Sequence, residues 1–383
     1  MGTSVDTVQQ FVNAVATTEL TPLSSEPETG RTYSYGGILP GSADPAVLEL
    51  PQGVRWLGDT SLASTEAAPS RLYVRPAYQV LLLLAMAFLN HSEMPHHRIV
   101  ITGSSGTGKT SFLNWVLRHL RRLETPPAIV LDIAGFFGCI ASDGEVTAGT
   151  RGSSFRQELA ARSTVYLRDA IWTDEGEFPS DPEIRARTIA MSPPTHMAAT
   201  KDSSDTRRTL MLVMPLWTIA ELETCRSACY SHSVSQETFL ELYHLWGGAV
   251  RWTLGTPKPE AKHEFVRSFE SLPFASVVQI IRDGGLVGGQ ETQQDVESEV
   301  DGDITVGSRI IHMHVDPDST FQLREAAMCS ALACSLLIGA SSKQLQSAQN
   351  FVGGSDCLAE PRTMQIFYQQ VQQELFDRAF STL

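Results

Sequence analysis

The eight residues Gly103-Ser104-Ser105-Gly106-Thr107-Gly108-Lys109-Thr110 restrict this chain more than any other stretch, because they fit the pattern G-x-x-x-x-G-K-[ST] in full. Glycines at these places let successive backbone N–H groups turn inward around phosphate oxygens. A lysine adds a cation at the β- and γ-phosphates, and a threonine hydroxyl can ligate Mg²⁺. The motif needs a buried strand before it and a helix after it. Ile99-Val100-Ile101 supplies the first, and Phe112, Trp115, Val116, His119, Leu120 and Leu123 recur at helical spacing to supply the second. A flexible Gly/Ser linker would not be flanked in this way. The sequence therefore predicts that residues 103–110, with Ser111 following on the helix, seat the phosphates of a nucleoside triphosphate.

Further apolar runs fit the same scheme. Ala128-Ile129-Val130-Leu131-Asp132 follows the breaker Pro126-Pro127, and Val165-Tyr166-Leu167-Arg168-Asp169 ends in a carboxylate. Arg187-Thr188-Ile189-Ala190-Met191 runs into Ser192-Pro193-Pro194, and residues 209–214 are the most apolar of the set. Strands alternating with crossovers predict an α/β fold of the P-loop NTPase kind, with a mostly parallel five-stranded sheet and its ligand beyond the carboxyl ends of the strands. Four regions are expected. Residues 1–70, rich in Ser, Gly, Pro and acids, read as an extended segment over the core, and 71–215 as the NTPase core, entered through an apolar helix over 72–90. Residues 216–254 read as a helical subdomain ending in a G-G-x-x-R turn, and 255–383 as a mainly helical region. Helices are expected there at 265–272, 274–282, 324–338 and 364–379, with one strand at 309–315 and a solvated acidic loop at 290–303.

With 29 Lys and Arg against 43 Asp and Glu, the net charge of −14 repels nucleic acid and anionic lipid, so neither is indicated as a partner. Arg118, Arg121 and Arg122 form one basic cluster, at the end of the loop helix where cations favour the helix dipole. The six cysteines lack zinc-finger spacing and read as reduced core thiols, which with the absence of a secretory leader or membrane-length apolar run points to a soluble intracellular chain. His312 and His314 alternate along a strand, a pattern that either seats a metal or marks a half-buried strand.

Two carboxylates compete to hold the Mg²⁺ shell. Asp132-Ile133-Ala134-Gly135 matches a γ-phosphate-reading D-x-x-G, but no guanine-reading [NT]-K-x-D follows, and Thr200-Lys201-Asp202-Ser203 misses it by one position. Asp169 is favoured, with Asp132 read as an exposed strand terminus. Asp169 is followed by Ala170 rather than by a water-orienting glutamate, and Glu175 or Glu177 are the nearest substitutes. Ser192 at the next strand end either hydrogen-bonds the γ-phosphate or starts a turn. Tyr73, Arg75 and Tyr78 either stack on the base or serve as ordinary packing.

Several blocks together resemble the P-loop ATPase region of the Crinkler-type effectors of oomycetes and fungi and of the related trypanosome retrotransposon hot spot proteins. They are Leu72-Tyr73-Val74-Arg75-Pro76-Ala77-Tyr78, the P-loop, Val165-Tyr166-Leu167-Arg168-Asp169, Met191-Ser192-Pro193, Met214-Pro215-Leu216-Trp217-Thr218-Ile219-Ala220-Glu221-Leu222 and Trp246-Gly247-Gly248-Ala249-Val250-Arg251. The resemblance implies an ATPase related to AAA+ and STAND proteins, using ATP or ADP with Mg²⁺. Thr110 and Asp169 would hold the metal, Ser192 would stand as a sensor, and Arg251 would reach the phosphates. It also implies an effector secreted into a host cell, meeting host proteins in the cytoplasm or nucleus. Where family members have an apolar residue and proline, this chain has Ala249-Val250, and no D…E-x-K nuclease constellation follows 255. Two functions stay open: slow ATP hydrolysis, and a nucleotide-gated interaction switch with negligible turnover. A small-molecule kinase would need an Arg-rich lid, for which Arg185, Arg207 and Arg208 are the nearest material.

Overall fold

The computed structural model describes residues 4–23, 44–58, 70–90, 98–133, 135–151, 153–169, 184–193, 209–256, 258–270, 309–315, 321, 323–330 and 333. The expected helices at 274–282 and 364–379, the acidic loop at 290–303, and Glu175, Glu177, Arg207 and Arg208 lie outside these residues.

The sheet is built around β4 (Arg98–Thr102), whose Ile99, Val100 and Ile101 are wholly buried. β5 (Ile129–Ile133), β8 (Val165–Asp169), β9 (Arg187–Met191) and β10 (Thr209–Val213) run parallel with it in the order β10-β4-β9-β8-β5. All five expected strands are therefore present, but the sheet has seven strands and is mixed. β6 (Phe136–Ile140) and β7 (Val146–Ala148) extend it antiparallel beyond β5. Sequence reading missed them because Phe136-Phe137-Gly138-Cys139-Ile140 begins directly after the turn at Gly135, whose φ of 78° lets the chain reverse there.

α1 (Val5–Thr17), α2 (Pro76–Leu89) and α3 (Lys109–Arg121) share one large core with Ile99, Ile101, Leu131, Leu167 and Ile189. α4 (Arg156–Ala160) follows Phe155, which with Leu159 covers Val130 and Tyr166 in a separate cluster. α2 is buried around most of its circumference, as its near-continuous apolar sequence requires, with Leu83 left 53% exposed.

Residues 1–70 are not simply extended. α1 starts on an N-cap at Ser4, whose hydroxyl accepts from Thr7 N, and it buries Val8, Phe11, Val12 and Val15. β1 (Leu20–Pro22), β2 (Ala46–Glu49) and β3 (Arg71–Val74) form a separate antiparallel sheet. The helical period of Val8-Phe11-Val12-Val15 is legible in the sequence, and the Ser/Pro-rich composition around it masked the signal.

The basic cluster on α3 bolts this segment down. Arg118 donates to Thr18 O at 3.2 and 2.9 Å, Arg122 pairs with Glu19 at 3.2 Å, and Arg121 donates to Ala141 O at 3.1 Å. These arginines satisfy backbone carbonyls at the α1–β1 and β6–β7 turns, which is a firmer use than complementing the helix dipole.

After the sheet come α5 (Ile219–Cys225), a π-helical turn at Arg226–Tyr230, α6 (Gln236–Trp246), α7 (Val250–Thr253) and α8 (Lys258–Glu270). β11 (Ile311–Val315) and β12 (Leu323–Met328) then pair antiparallel. The expected strand at 309–315 is present, whereas 323–328 is a strand where a helix was expected. Alanines in Leu323–Met328 favour helix locally, but pairing with β11 and burial of Ala326, Ala327 and Met328 override that preference.

Candidate nucleotide-binding site

The loop between β4 and α3 has the backbone its sequence demands. Gly103, Gly106 and Gly108 have φ of 140°, 78° and 94°, a region side-chain-bearing residues rarely adopt. Space is as strict as conformation. A Cβ on Gly103 would lie 2.9 Å from Met214 O, one on Gly106 2.8 Å from the Arg251 Cβ, and one on Gly108 would strike the Tyr78 hydroxyl.

The outward carbonyls of the loop are held by the surrounding elements. Tyr78 on α2 donates to Gly108 O at 2.7 Å, and Ser111 hydrogen-bonds the Tyr78 side chain. Trp217 Nε1 donates to Thr107 O at 2.9 Å, Arg251 N donates to Gly106 O at 3.3 Å, and Thr107 Oγ1 donates to Ser104 O at 3.0 Å. The Gly106, Thr107 and Gly108 carbonyls are thus taken by groups outside the loop, whereas those of Gly103 and Ser104 are held from within it by Lys109 and Thr107.

Lys109 is 5% exposed and donates to Gly103 O at 2.6 Å and Ser104 O at 2.9 Å. Burial pushes its ammonium down to about 8, nearby Arg251 pushes in the same direction, and Asp169 opposes both. An anion entering the loop would give this strained cation a partner. Thr110 Oγ1 lies 2.5 Å from Asp169 Oδ2, with Asp169 fully buried. These hard oxygens fit Mg²⁺, which takes one or two protein ligands and completes its shell with water and phosphate. Among the described residues no group of three or more His, Cys, Asp or Glu could hold a metal alone. His312 is buried to 1% and its pKa is pushed down to about 3 by that burial, the strand-core half of the two readings for His312 and His314.

The sheet order brings the other expected residues to the loop. Met191 is in register with Ile101 on one side and Asp169 on the other, so Ser192 follows at the strand end between the P-loop strand and the carboxylate. Its N–H continues the ladder to Ile101 O at 3.0 Å, while its hydroxyl donates to Pro193 O at 3.1 Å. Arg251 on α7 presses its Cβ toward Gly106 and lies in the electrostatic field of both Lys109 and Asp169. The Gly247-Gly248 turn aims it. Gly247 has φ of 55° with Cys329 O 2.6 Å from where a Cβ would stand, and a Cβ on Gly248 would meet Trp217 O at 2.5 Å.

Asp132 is not an exposed terminus. It is 2% exposed and accepts from Arg151 at 2.6 and 3.0 Å, with Arg168 at 3.8 Å. Arg75 is also committed elsewhere. Fully buried, it donates to Pro215 O and Leu216 O at 2.9 Å and pairs with Glu221 at 3.1 Å, its guanidinium 4.4 Å from the Trp217 ring. It locks the entry of α2 to the capping box of α5, in which Thr218 and Glu221 bond reciprocally, so it is not placed to stack on a base. Tyr73 packs on Trp217 with ring centres 5.5 Å apart.

A cleft of about 160 Å³ opens beside the loop, lined by Thr107, Lys109 and Thr110 on one side and by Leu57, Tyr73 and Tyr230 on the other. Asn114 Nδ2 holds Leu57 O at 2.9 Å, and Trp56 Nε1 holds Ser70 O at 3.2 Å. Sequence reading missed this wall and Trp217. The wall carries no motif, and the bond from Trp217 to Thr107 O depends on residues 110 positions apart.

No family model matches the sequence, and no curated protein matches it. Among solved structures, only distant likeness is found. The Holliday junction branch migration motor RuvB of Thermotoga maritima is 14% identical at a TM-score of 0.32, over 69% of this chain and 94% of that one. Hsp104 of S. cerevisiae, in an ADP complex, is 12% identical at 0.32, over 71% of this chain and 39% of that one. Cdc6p of Pyrobaculum aerophilum is 15% identical at 0.30, over 76% and 99%. No described helix is long and apolar enough to cross a membrane.

Proposed function

We propose that the chain binds ATP with Mg²⁺ and hydrolyses it slowly. The observation that carries this reading is the convergence of three separate sequence blocks on one loop: Thr110 against Asp169 at 2.5 Å, with Lys109 and Arg251 in the field of the same carboxylate. Lys109 and the loop amides would neutralise phosphate charge, Thr110 and Asp169 would hold Mg²⁺, and Arg251 and Ser192 would meet charge developing on the transferred phosphoryl group. Mg²⁺ held there would supply Lewis-acid chemistry to the phosphates. Glu or another carboxylate is absent from the position after Asp169, where Ala170 stands, which supports slow turnover and keeps a second reading alive: a nucleotide-gated interaction switch.

The Crinkler-type reading rests on the blocks 214–222 and 246–251, and it gains support from their meeting at the loop through Trp217 and Arg251. An effector role toward host proteins follows from that resemblance alone. Calorimetric titration with ATP, ADP and GTP, with and without Mg²⁺, alongside a phosphate-release assay tests the proposal. Mg²⁺-dependent ATP binding with release supports an ATPase, binding without release supports the switch, and no binding of any nucleotide refutes both.

A further inference from the structure

The first variable residue of the P-loop, Ser104, is 1% exposed, and its hydroxyl accepts a hydrogen bond from Met313 N at 2.8 Å, 209 positions along the chain. The Met313 N–H belongs to β11, so one edge of the β11–β12 hairpin is capped by the phosphate loop itself. The rest of the hairpin grips both flanks of the site. Met313 packs with Val213 at the end of β10, and Val213 N donates to Phe321 O at 2.8 Å. On the other flank Cys329 Sγ donates to Leu245 O at 3.4 Å, and Cys329 O and the His312 ring lie against Gly247. Arg309 pairs with Glu264 of α8 at 2.7 Å and sits 5.6 Å from the centre of the Trp252 ring, next in sequence to Arg251.

Ser104 thus has three attachments. Its carbonyl accepts from the Lys109 ammonium at 2.9 Å and from Thr107 Oγ1 at 3.0 Å, and its hydroxyl holds the hairpin. A γ-phosphate competes for that ammonium with a full negative charge, against which a neutral carbonyl is the weaker acceptor. Once Lys109 leaves, only the neutral Thr107 hydroxyl still holds the Ser104 carbonyl, so the 104–105 peptide is freer to turn its N–H toward the phosphate, and that rotation about Ser104 displaces its hydroxyl. The Met313 N–H is buried, so losing its acceptor is costly and favours a shift of the hairpin.

We propose that Ser104 is a positioning residue that transmits γ-phosphate occupancy to the β11–β12 hairpin, making that hairpin the element that reports nucleotide state to the rest of the C-terminal region. The inference rests on the nucleotide-binding reading above and deepens it.

Hydrogen–deuterium exchange on the full chain tests it, with peptides covering 309–315 followed in the free protein, with Mg²⁺–ADP and with Mg²⁺–ATPγS. In the wild type ATPγS should speed exchange at Met313 about tenfold and ADP less than threefold. In Ser104→Ala exchange there should be fast in every state, and the ATPγS effect should fall below twofold at an ATPγS concentration that calorimetry shows to saturate the variant. Should Ser104→Ala not fold, Met313→Pro serves instead. It removes the same donor from an edge that tolerates proline, and it should uncouple Ser104 in the same way, read as loss of the ATPγS effect over 323–330. A hairpin in the wild type that ignores ATPγS or is slowed by it, or an effect that survives both substitutions, overturns the inference. If neither nucleotide binds, the site reading falls and takes this one with it; binding without coupling overturns this inference alone.

Discussion

Lys109 gives the most direct test of whether the loop is poised for an anion. Its ammonium is held down to about 8, chiefly by burial, against an ordinary lysine value near 10.5. At neutral pH the folded protein carries a charge it would rather not have, at a cost of roughly 3 kcal/mol. Between pH 8 and 10.5 the unfolded chain binds more protons here than the folded one, so stability contributed by this residue rises with pH across that window and is lowest below pH 8. Urea denaturation of wild type and Lys109→Met should be compared from pH 7 to 9.5, the difference cancelling other titrating groups. Wild type should gain about 2 kcal/mol on the variant over that range, most of it above pH 8. Bound phosphate restores the charge, so nucleotide affinity should weaken by up to about tenfold per pH unit above 8, with proton uptake measurable by calorimetry in buffers of different ionisation enthalpy. A flat stability difference, or one moving against the wild type, would refute the claim that Lys109 waits as a buried, partner-hungry cation.

Lys109→Met should also weaken ATP at neutral pH by at least about thirtyfold, the loss of one charge-assisted contact of about 2 kcal/mol, read by calorimetry. Asp169→Asn keeps a hydrogen-bond partner for Thr110 but removes the charge, and should abolish the Mg²⁺ dependence of ATP affinity and cut phosphate release by about 100-fold. Arg251→Ala should cut phosphate release by about 100-fold or more with a smaller effect on ADP affinity, and lysine there should not restore it, since a planar fork is lost. Arg75→Met leaves Glu221 without its buried partner and two carbonyls without donors, so urea unfolding should show a loss of about 3–5 kcal/mol.

Much of the site could be read from residues because the P-loop, the strand-end carboxylate and the G-G-x-x-R turn each carry a local physical requirement. The five parallel strands were legible for a similar reason, being apolar runs ended by turn residues. What stayed hidden depends on partners distant in sequence. Arg75 looks available beside Tyr73 and Tyr78, and only the placement of Glu221 and of the 215–216 carbonyls shows that its guanidinium makes four hydrogen bonds within the structure. The cleft wall at Trp56-Leu57 and the strand at Leu323–Met328 are tertiary products in the same sense. One is set by Asn114 reaching Leu57 O, the other by pairing with β11 against local helix preference.

The two competing carboxylates show how one residue of parity decides chemistry. Asp132 is in register with Arg168, so the two share a sheet face with Val130 and Tyr166, the face under Phe155 and Leu159. Asp169 comes one residue after Arg168 and therefore lies on the opposite face, with Val165 and Leu167, where α3 packs. On the first face a carboxylate meets Arg151 and Arg168 and is neutralised within the protein. On the second it meets the threonine that opens the P-loop helix and feels Lys109 and Arg251, groups a nucleotide would engage. A sequence places both aspartates at strand ends and cannot separate them by type. The pleat separates them, because only the carboxylate on the helix-bearing face can share a cation with a ligand seated in the loop.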